Sequence, residues 1–418
     1  MRSYLKSLDP RLSRRLWILL SGSFFNAFGN GVVFPFLLIY LHNVRGIGLG
    51  TAGLVLAAVS IAGVVAGPAS GVLVDRFGPR VVLVASMVLS AVGYGGFALV
   101  HTAAAAALVG VFAGLGNGSF WPSHAALVAA LSERESRHNA YAMQRVLNNL
   151  GIGVGGVVGG LIATTAHPGT YELLFWIDAI TFGSYLVALW FVPSPVRSPA
   201  TAERSAGGYG LVLRHKTFIA YIVFNASLVA LGFSLLGDIF PAFAKNVAHV
   251  DERGIGLCFL ANTLVIVIAQ MPVAKWLEGR RRMAAYAIEG VVWACAWLIV
   301  FAGGWLLTGS AATVVFALAL TVFGVGECFH GTVQNALIAD LARPGLLGRY
   351  LALNGFGFQL GGAAGRAAGG FALASFPHGL WAIAAAMSFG VGCSALLLER
   401  VLPERIRRTP ILVPATAD

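Results

Sequence analysis

Inside the apolar run 311–341 stand two groups able to exchange protons, Glu327 and, three residues on, His330. Residues three apart on a helix share a face. Low-dielectric surroundings disfavour the charged form of a carboxyl, so Glu327 suits reversible binding of a proton. A cation competing for the same group would couple two fluxes. The alternative is a structural glutamate bonded to a neighbouring helix. One Glu-x-x-His lacks the further ligands of a metal centre, and neither a metal nor another cofactor is expected. Asp238 lies in the outer part of the run 217–244 and Arg366 in that of 350–375; the two are placed to form a static ion pair or a gate. Arg145, near one end of 141–166, would anchor that end or meet an acidic substrate. Glu327, Asp238 and His330 are thus the proton-coupling candidates, and Arg145 and Arg366 the gate or ion-pair candidates. Asp178 reads as solvent-facing, and Glu289, close to Arg281 and Arg282, as their snorkelling partner.

A second set of residues suits binding rather than proton transfer. Asn26, Asn30, Asn117, Trp121, His124, Phe233 and Gln334 fall in the first, fourth, seventh and tenth apolar runs. Together with Phe24 and Phe28 they would line an aromatic, mildly polar cavity, which suits amphiphilic or cationic compounds. Cys258, Cys295, Cys328 and Cys393 lie in apolar runs without metal spacing and read as buried, reduced side chains. No nucleophile–base pair stands out, so an enzyme is not expected.

The elements that carry these residues follow from composition. Of 418 residues, 58% are hydrophobic and 11% charged, against about 25% charged in soluble domains. The apolar residues gather in twelve blocks, near 16–41, 50–74, 81–101, 104–131, 141–166, 171–192, 217–244, 254–275, 284–303, 311–341, 350–375 and 378–398. A bilayer core of about 30 Å needs roughly 20 apolar residues per helix, and backbone groups in lipid must bond within their own segment. The expectation is an all-α membrane protein. Residues 1–192 would form one six-helix bundle, 193–216 a cytoplasmic linker opening PSPVRSP, 217–398 a second bundle, and 399–418 a basic cytoplasmic tail on the lipid surface. Among the 28 Lys and Arg, only Arg45, Lys245 and Arg253 fall in one set of loops. Arg145 and Arg366 lie inside blocks, and the remaining 23 crowd the alternate loops and both termini, which the positive-inside rule places in the cytoplasm. The net charge of +11 is then topology and contact with anionic lipid, with no nucleic-acid partner.

The two halves repeat each other. GLGNGSFWPSHAALV at 114–128 aligns with GVGECFHGTVQNALI at 324–338, Leu150-Gly151 with Leu360-Gly361, and Gly159-Gly160 with Gly369-Gly370. Phe34-Pro35 matches Phe240-Pro241, and Arg45-Gly46-Ile47-Gly48 matches Arg253-Gly254-Ile255-Gly256. Parallel repeats of this kind build transporters with a site near the midplane.

Between the second and third blocks stands GVLVDRFGPR, 71–80. It resembles the loop signature of the major facilitator superfamily, with Gly71, Asp75, Arg76, Gly78 and Arg80 matching in order. A faded copy, KWLEGRRR at 275–282, follows the eighth block. The resemblance implies two pseudo-symmetric six-helix bundles that alternate access. It implies a conformational latch in which Asp75 meets the N-terminus of the eleventh helix, Arg76 and Arg80 pair with acids and headgroups, Gly71 permits close approach and Gly78 a sharp turn. LNNLGIGVGGVVGG at 147–160 resembles the fifth-helix motif of the family's proton antiporters. Gly151, Gly155, Gly159 and Gly160 would form a flat packing face, although Gly155-Gly156 stands where those proteins carry Gly-Pro. The family's drug exporters often carry an acid in the first helix and its proton-coupled members an Arg in the fourth; both are missing here. The expected function is export of hydrophobic or amphiphilic small molecules by proton antiport, with dedicated export of one metabolite, lipid or siderophore, or a non-transporting receptor or scaffold, as alternatives. The expected partners are a small-molecule substrate, protons and lipids, around a monomer in the inner membrane.

Overall fold

Ser13 and Thr102 open the first and fourth helices. Their hydroxyls accept from the N–H groups of Leu16 at 3.3 Å and Ala105 at 3.2 Å, satisfying donors that a helix start leaves free. The computed structural model describes residues 12–132, 137–193, 209–343 and 346–409. Twelve long helices run through them: α1 Arg14–Val44, α2 Leu49–Phe77, α3 Pro79–Phe97, α4 Ala103–Leu131, α5 Arg137–Ile162, α6 Gly169–Trp190, α7 Lys216–Asn246, α8 Glu252–Leu277, α9 Arg282–Leu306, α10 Gly309–Leu341, α11 Leu347–Ser375 and α12 Gly379–Glu399. Eleven are long and apolar enough to cross a membrane. The exception, α11, is 29 residues long and is diluted by Arg349, Gln359, Arg366 and many glycines. No strand forms among the described residues; there is one isolated bridge, between Arg281 and Arg408. The all-α, twelve-helix expectation therefore matches the fold.

The chain divides into two compact units. The first comprises Met1–Ala200 with Asp251–Gly256 and Arg366–Phe371; the second comprises Thr201–Val250, Leu257–Gly365 and Ala372–Asp418. In the first, α1 packs on α5 and α6, α2 on α4, and α3 on α4 and α6. In the second, α9 packs on α10 and α12, α7 on α11 and α8 on α10. The same pairings thus recur six helices on. Of the expected linker, 194–208 lie outside the described residues, and Tyr209–Leu213 is a short helix. Of the expected tail, 410–418 lie outside them.

Glycines set the closest approaches. A Cβ on Gly151, Gly155 or Gly159 of α5 would fall within 3 Å of the backbone of Phe24, Phe28 or Val32 on α1. Gly361 and Gly365 of α11 meet Ala226 and Ala230 of α7 in the same way. Inside the first unit, Gly160 abuts Glu252 and Gly256, and Gly370 abuts Leu49 and Gly53. The repeat seen in sequence is therefore a repeat of packing. Gly78, at φ 87°, and Gly279, at φ 71°, turn the chain between α2 and α3 and between α8 and α9, a backbone region that favours glycine. α1 and α7 each break at the repeated Phe-Pro. A 3-10 turn spans Phe34–Phe36, and a π turn over Leu235–Ile239 precedes Pro241, as expected where proline removes a donor inside a helix.

Two expectations are corrected. Cys295 and Cys393 are exposed, whereas Cys258 and Cys328 are buried. A thiol is apolar enough to face lipid, and lipid-facing and core positions look alike in composition. Asp178 faces no solvent; it is fully buried where α6 meets Gly29 of α1.

Candidate functional site

The second unit gathers ionisable and aromatic groups around one buried pair. α9 presents Tyr286, Glu289 and Trp293 along one face, and α10 presents Phe323 and His330 opposite. His330 Nδ1 and Glu289 Oε1 stand 3.0 Å apart, with both side chains buried. Either the imidazole donates to the carboxylate or a carboxyl O–H donates to Nδ1. Glu289 Oε2 and His330 Nε2 have no hydrogen-bond partner among the described residues. The rings of Phe233, Tyr286 and Trp293 lie 5.3, 5.6 and 6.3 Å from the His330 ring, centre to centre. Tyr286 Oη is 2.9 Å from Tyr221 Oη of α7, and Asn225 of α7 donates to Asn354 Oδ1 of α11 at 3.2 Å.

Local sequence explains why Trp293 fits. Gly232 on α7 and Gly326 on α10 lie against its indole, and a Cβ on either would come within 3 Å of the ring. Trp293 Nε1 donates to the carbonyl of Phe323 at 3.2 Å, so the ring is fixed and stacks on His330 at 16°.

His330 therefore keeps its place as a candidate, but with a partner that the sequence reading had assigned elsewhere. Glu289 is not a snorkelling mate of Arg281 and Arg282. Arg282 pairs with Asp340 at 2.6 Å. Arg281 pairs with Glu399, Nε standing 2.8 Å from Oε1 and 3.0 Å from Oε2, which raises the Arg281 guanidinium above its ordinary value. Glu327 is half-buried and turns to α8, where Asn262 Nδ2 donates to its Oε1 at 3.1 Å. Asn262 also donates to the carbonyl of Leu320 at 3.2 Å. Glu327 and His330 thus serve different neighbours. Asp238 is buried in the π turn of α7. Gln334 is half-buried on α10, and Phe233 joins the aromatic ring around His330.

In the first unit, His124 is fully buried and its Nδ1 lies 2.9 Å from Nε2 of Gln144 on α5. Asn26 is buried, and Asn30 donates back to its carbonyl at 2.9 Å. Asn117 and Trp121 are exposed on α4, as is Arg145 on α5. Arg366 donates to Ser60 Oγ of α2. Sequence reasoning passed over Glu252, which accepts from Tyr171 Oη at 2.8 Å and from the Thr165 N–H at 2.9 Å. It also passed over the partner of Arg45, Glu172, at 2.8 Å. The signal available was an acid at the first turn of each helix concerned.

In the loop 71–80, Asp75 belongs to the last turns of α2, and its side chain lies outside the described residues. Arg76 sits over the Phe77 ring, its guanidinium carbon 5.3 Å from the ring centre. Arg80 donates to the carbonyl of Leu189 at 3.1 Å, closing the end of α6, a favoured use of a cation at a helix C-terminus. No described atom lies within 4 Å of a Cβ built on Gly71, so close approach is not what glycine provides there. Near the start of α7, His215 Nδ1 is 2.8 Å from Tyr350 Oη. Burial, with the charge of Arg343, pushes His215 below the ordinary imidazole range.

The model of the Major Facilitator Superfamily matches residues 19–365 and 222–414. The chain is 24% identical over 369 residues to the uncharacterized MFS-type transporter YqjV of Bacillus subtilis (strain 168), covering 87% of each. It is 26% identical over 367 residues to the multidrug resistance protein MdtH of Aeromonas salmonicida (strain A449), covering 86% of this chain and 88% of that one. The crystal structure of a D-xylose-proton symporter shares the fold, with a TM-score of 0.71 at 14% identity over 94% of this chain and 98% of that one. The chain belongs to the major facilitator superfamily, and it is a multi-pass membrane transporter rather than an enzyme.

Proposed function

We propose that this transporter exports hydrophobic or amphiphilic small molecules, cations among them, by antiport against protons, and that the Glu289–His330 pair carries the proton. The observation that carries this reading is the buried 3.0 Å contact between the two groups, each with a further polar atom that has no partner among the described residues. Two interacting groups take up protons as a unit. With one shared proton the pair is neutral; losing it leaves a net negative site walled by aromatic rings. Such a site attracts a cationic amphiphile through both charge and ring faces, and proton and substrate then exclude each other. The multidrug resistance name of a relative 26% identical supports the same substrate class. Access alternates between the two sides as the bundles 1–192 and 217–398 rock. Asp75 serves as the latch and Arg80 braces the end of α6. Both termini are cytoplasmic, and one copy of the chain suffices. Glu327 and Asp238 hold secondary roles, Glu327 as a brace between α8 and α10.

Everted vesicles with an imposed pH gradient test the reading with a panel of fluorescent cationic and neutral dyes. The expected result is dye movement that a protonophore abolishes. Glu289→Gln removes its pH dependence, and Glu327→Gln retains it. Movement indifferent to the protonophore rules out proton coupling. Full coupling in Glu289→Gln moves the site elsewhere, with Glu327 and Asp238 next in order.

A further inference from the structure

Where α12 ends, the chain turns back on its own bundle. Leu402 and Ile406 are buried around a 3-10 turn, Glu404–Ile406. The carbonyls of Arg407 and Thr409 accept from the N–H groups of Arg282 at 2.8 Å and Gly279 at 3.1 Å, and the Thr409 N–H donates to Arg280 at 2.9 Å. The returning segment is thereby fastened to the loop between α8 and α9. A cavity of about 480 Å³ opens there, lined by Arg281, Glu399, Arg400, Glu404, Arg407 and Arg408 beside Leu396.

Four guanidinium groups face two carboxylates, an excess of two positive charges. Glu399 is engaged by Arg281, and Glu404 is 91% exposed at 4.0 Å from Arg407, so neither neutralises the remaining cations well. Backbone carbonyls hold two of these in place: Arg407 Nε donates to Leu402 at 2.9 Å, and Arg408 Nη1 to Gly279 at 3.1 Å. Arg400, the first residue after α12, is exposed and its side chain makes no described bond. On the last turn of α12 and just past it, Leu396, Leu397 and Val401 are 41%, 61% and 57% exposed, as positions against lipid would be. The cavity therefore sits at the level where acyl chains give way to headgroups.

We infer that this cavity binds the phosphate of an anionic phospholipid headgroup, with the acyl chains lying along Leu397 and Val401. Guanidinium forks match phosphate oxygens in geometry as well as charge, and the volume falls in the range of small-ligand sites. The bound phosphate joins α12, the returning segment and the loop after α8. The site is independent of the transport reading above.

Native mass spectrometry of the full chain in detergent tests the site, titrating phosphatidylglycerol, phosphatidylcholine and inorganic phosphate separately. The expected result is retention of phosphatidylglycerol over phosphatidylcholine. Arg400→Gln with Arg408→Gln should weaken it roughly thirty-fold, at about 1 kcal/mol per cation, while Arg214→Gln, an exposed arginine elsewhere, leaves it unchanged. Arg400→Gln alone removes a side chain that makes no described bond and serves if the double variant fails to fold; it should weaken retention roughly five-fold by the same reckoning. Equal retention of the two lipids, or equal loss in Arg214→Gln, overturns the site. Occupancy by inorganic phosphate that blocks phosphatidylglycerol completely at equal concentration overturns the lipid as its source.

Discussion

The Glu289–His330 pair makes a quantitative prediction about stability. The side chains are 0% and 4% exposed and meet at 3.0 Å. Removing one member of a buried ionised pair costs about 3–5 kcal/mol, because the other charge is left alone; for a neutral hydrogen bond the loss is about 1–3 kcal/mol. Glu289→Gln and His330→Asn should therefore each destabilise the second unit by about 3 kcal/mol. Replacing both with apolar residues of similar size, Glu289→Met with His330→Phe, should cost less than either single change, since a buried pair replaced as a whole is often neutral. The assay is equilibrium unfolding in detergent followed by tryptophan emission, to which Trp293, stacked on His330, contributes. A double-mutant cycle closed on Glu289→Met, His330→Phe and the two together should give a coupling of at least about 2 kcal/mol. Additive single effects, or single changes each below about 0.5 kcal/mol, would show that the two groups do not act together.

Other expectations follow from the packing and the surface charges. Gly155→Ala should cost about 1–3 kcal/mol in thermal or denaturant unfolding, since its Cβ would meet the Phe28 backbone. Gly183→Ala on α6, with open space around it, should be neutral or stabilise by up to about 1 kcal/mol. Asp340→Asn should destabilise by about 1–3 kcal/mol, because Arg282 is buried and loses its charge partner, an effect moderated by the exposure of Asp340. For His215, burial first and the charge of Arg343 second lower the folded-state value. Its contribution is thus present above the unfolded value of about 6.5 and is lost as pH falls through the lower folded one. Wild-type stability should drop over that window more steeply than that of His215→Gln, as read from unfolding midpoints at several pH values.

Features repeated along the chain were legible in sequence. The blocks of apolar residues marked the helices, the Phe-Pro pairs and the glycines near 151–160 and 361–370 marked a repeat, and Gly151, Gly155, Gly159 and Gly160 marked a packing face. That α1 and α7 break at Phe-Pro, and that glycines of these two stretches meet α1 and α7, came only with the structure. Gly78 was legible because its turn demands a backbone that few other residues adopt. What sequence could not supply was which helix faces which. Glu289 and His330 are 41 positions apart, and nothing local distinguishes a glutamate that meets a histidine across an interface from one that reaches back to Arg281. Glu327 misled for the same reason: spacing placed it near His330 along α10, while its carboxyl turns to Asn262 on α8. Asp178 and the cysteines show a related ambiguity. An apolar helix has both a core face and a lipid face, and composition alone does not separate them.

The central claim is that substrate and proton compete for one buried pair. Purified protein in weakly buffered detergent, mixed with a saturating cationic dye that it binds, provides the most direct measurement. The account predicts prompt acidification approaching one proton per dye bound in the wild type, and none in the Glu289→Met, His330→Phe variant. Dye binding without proton release, or release that persists in that variant, contradicts it.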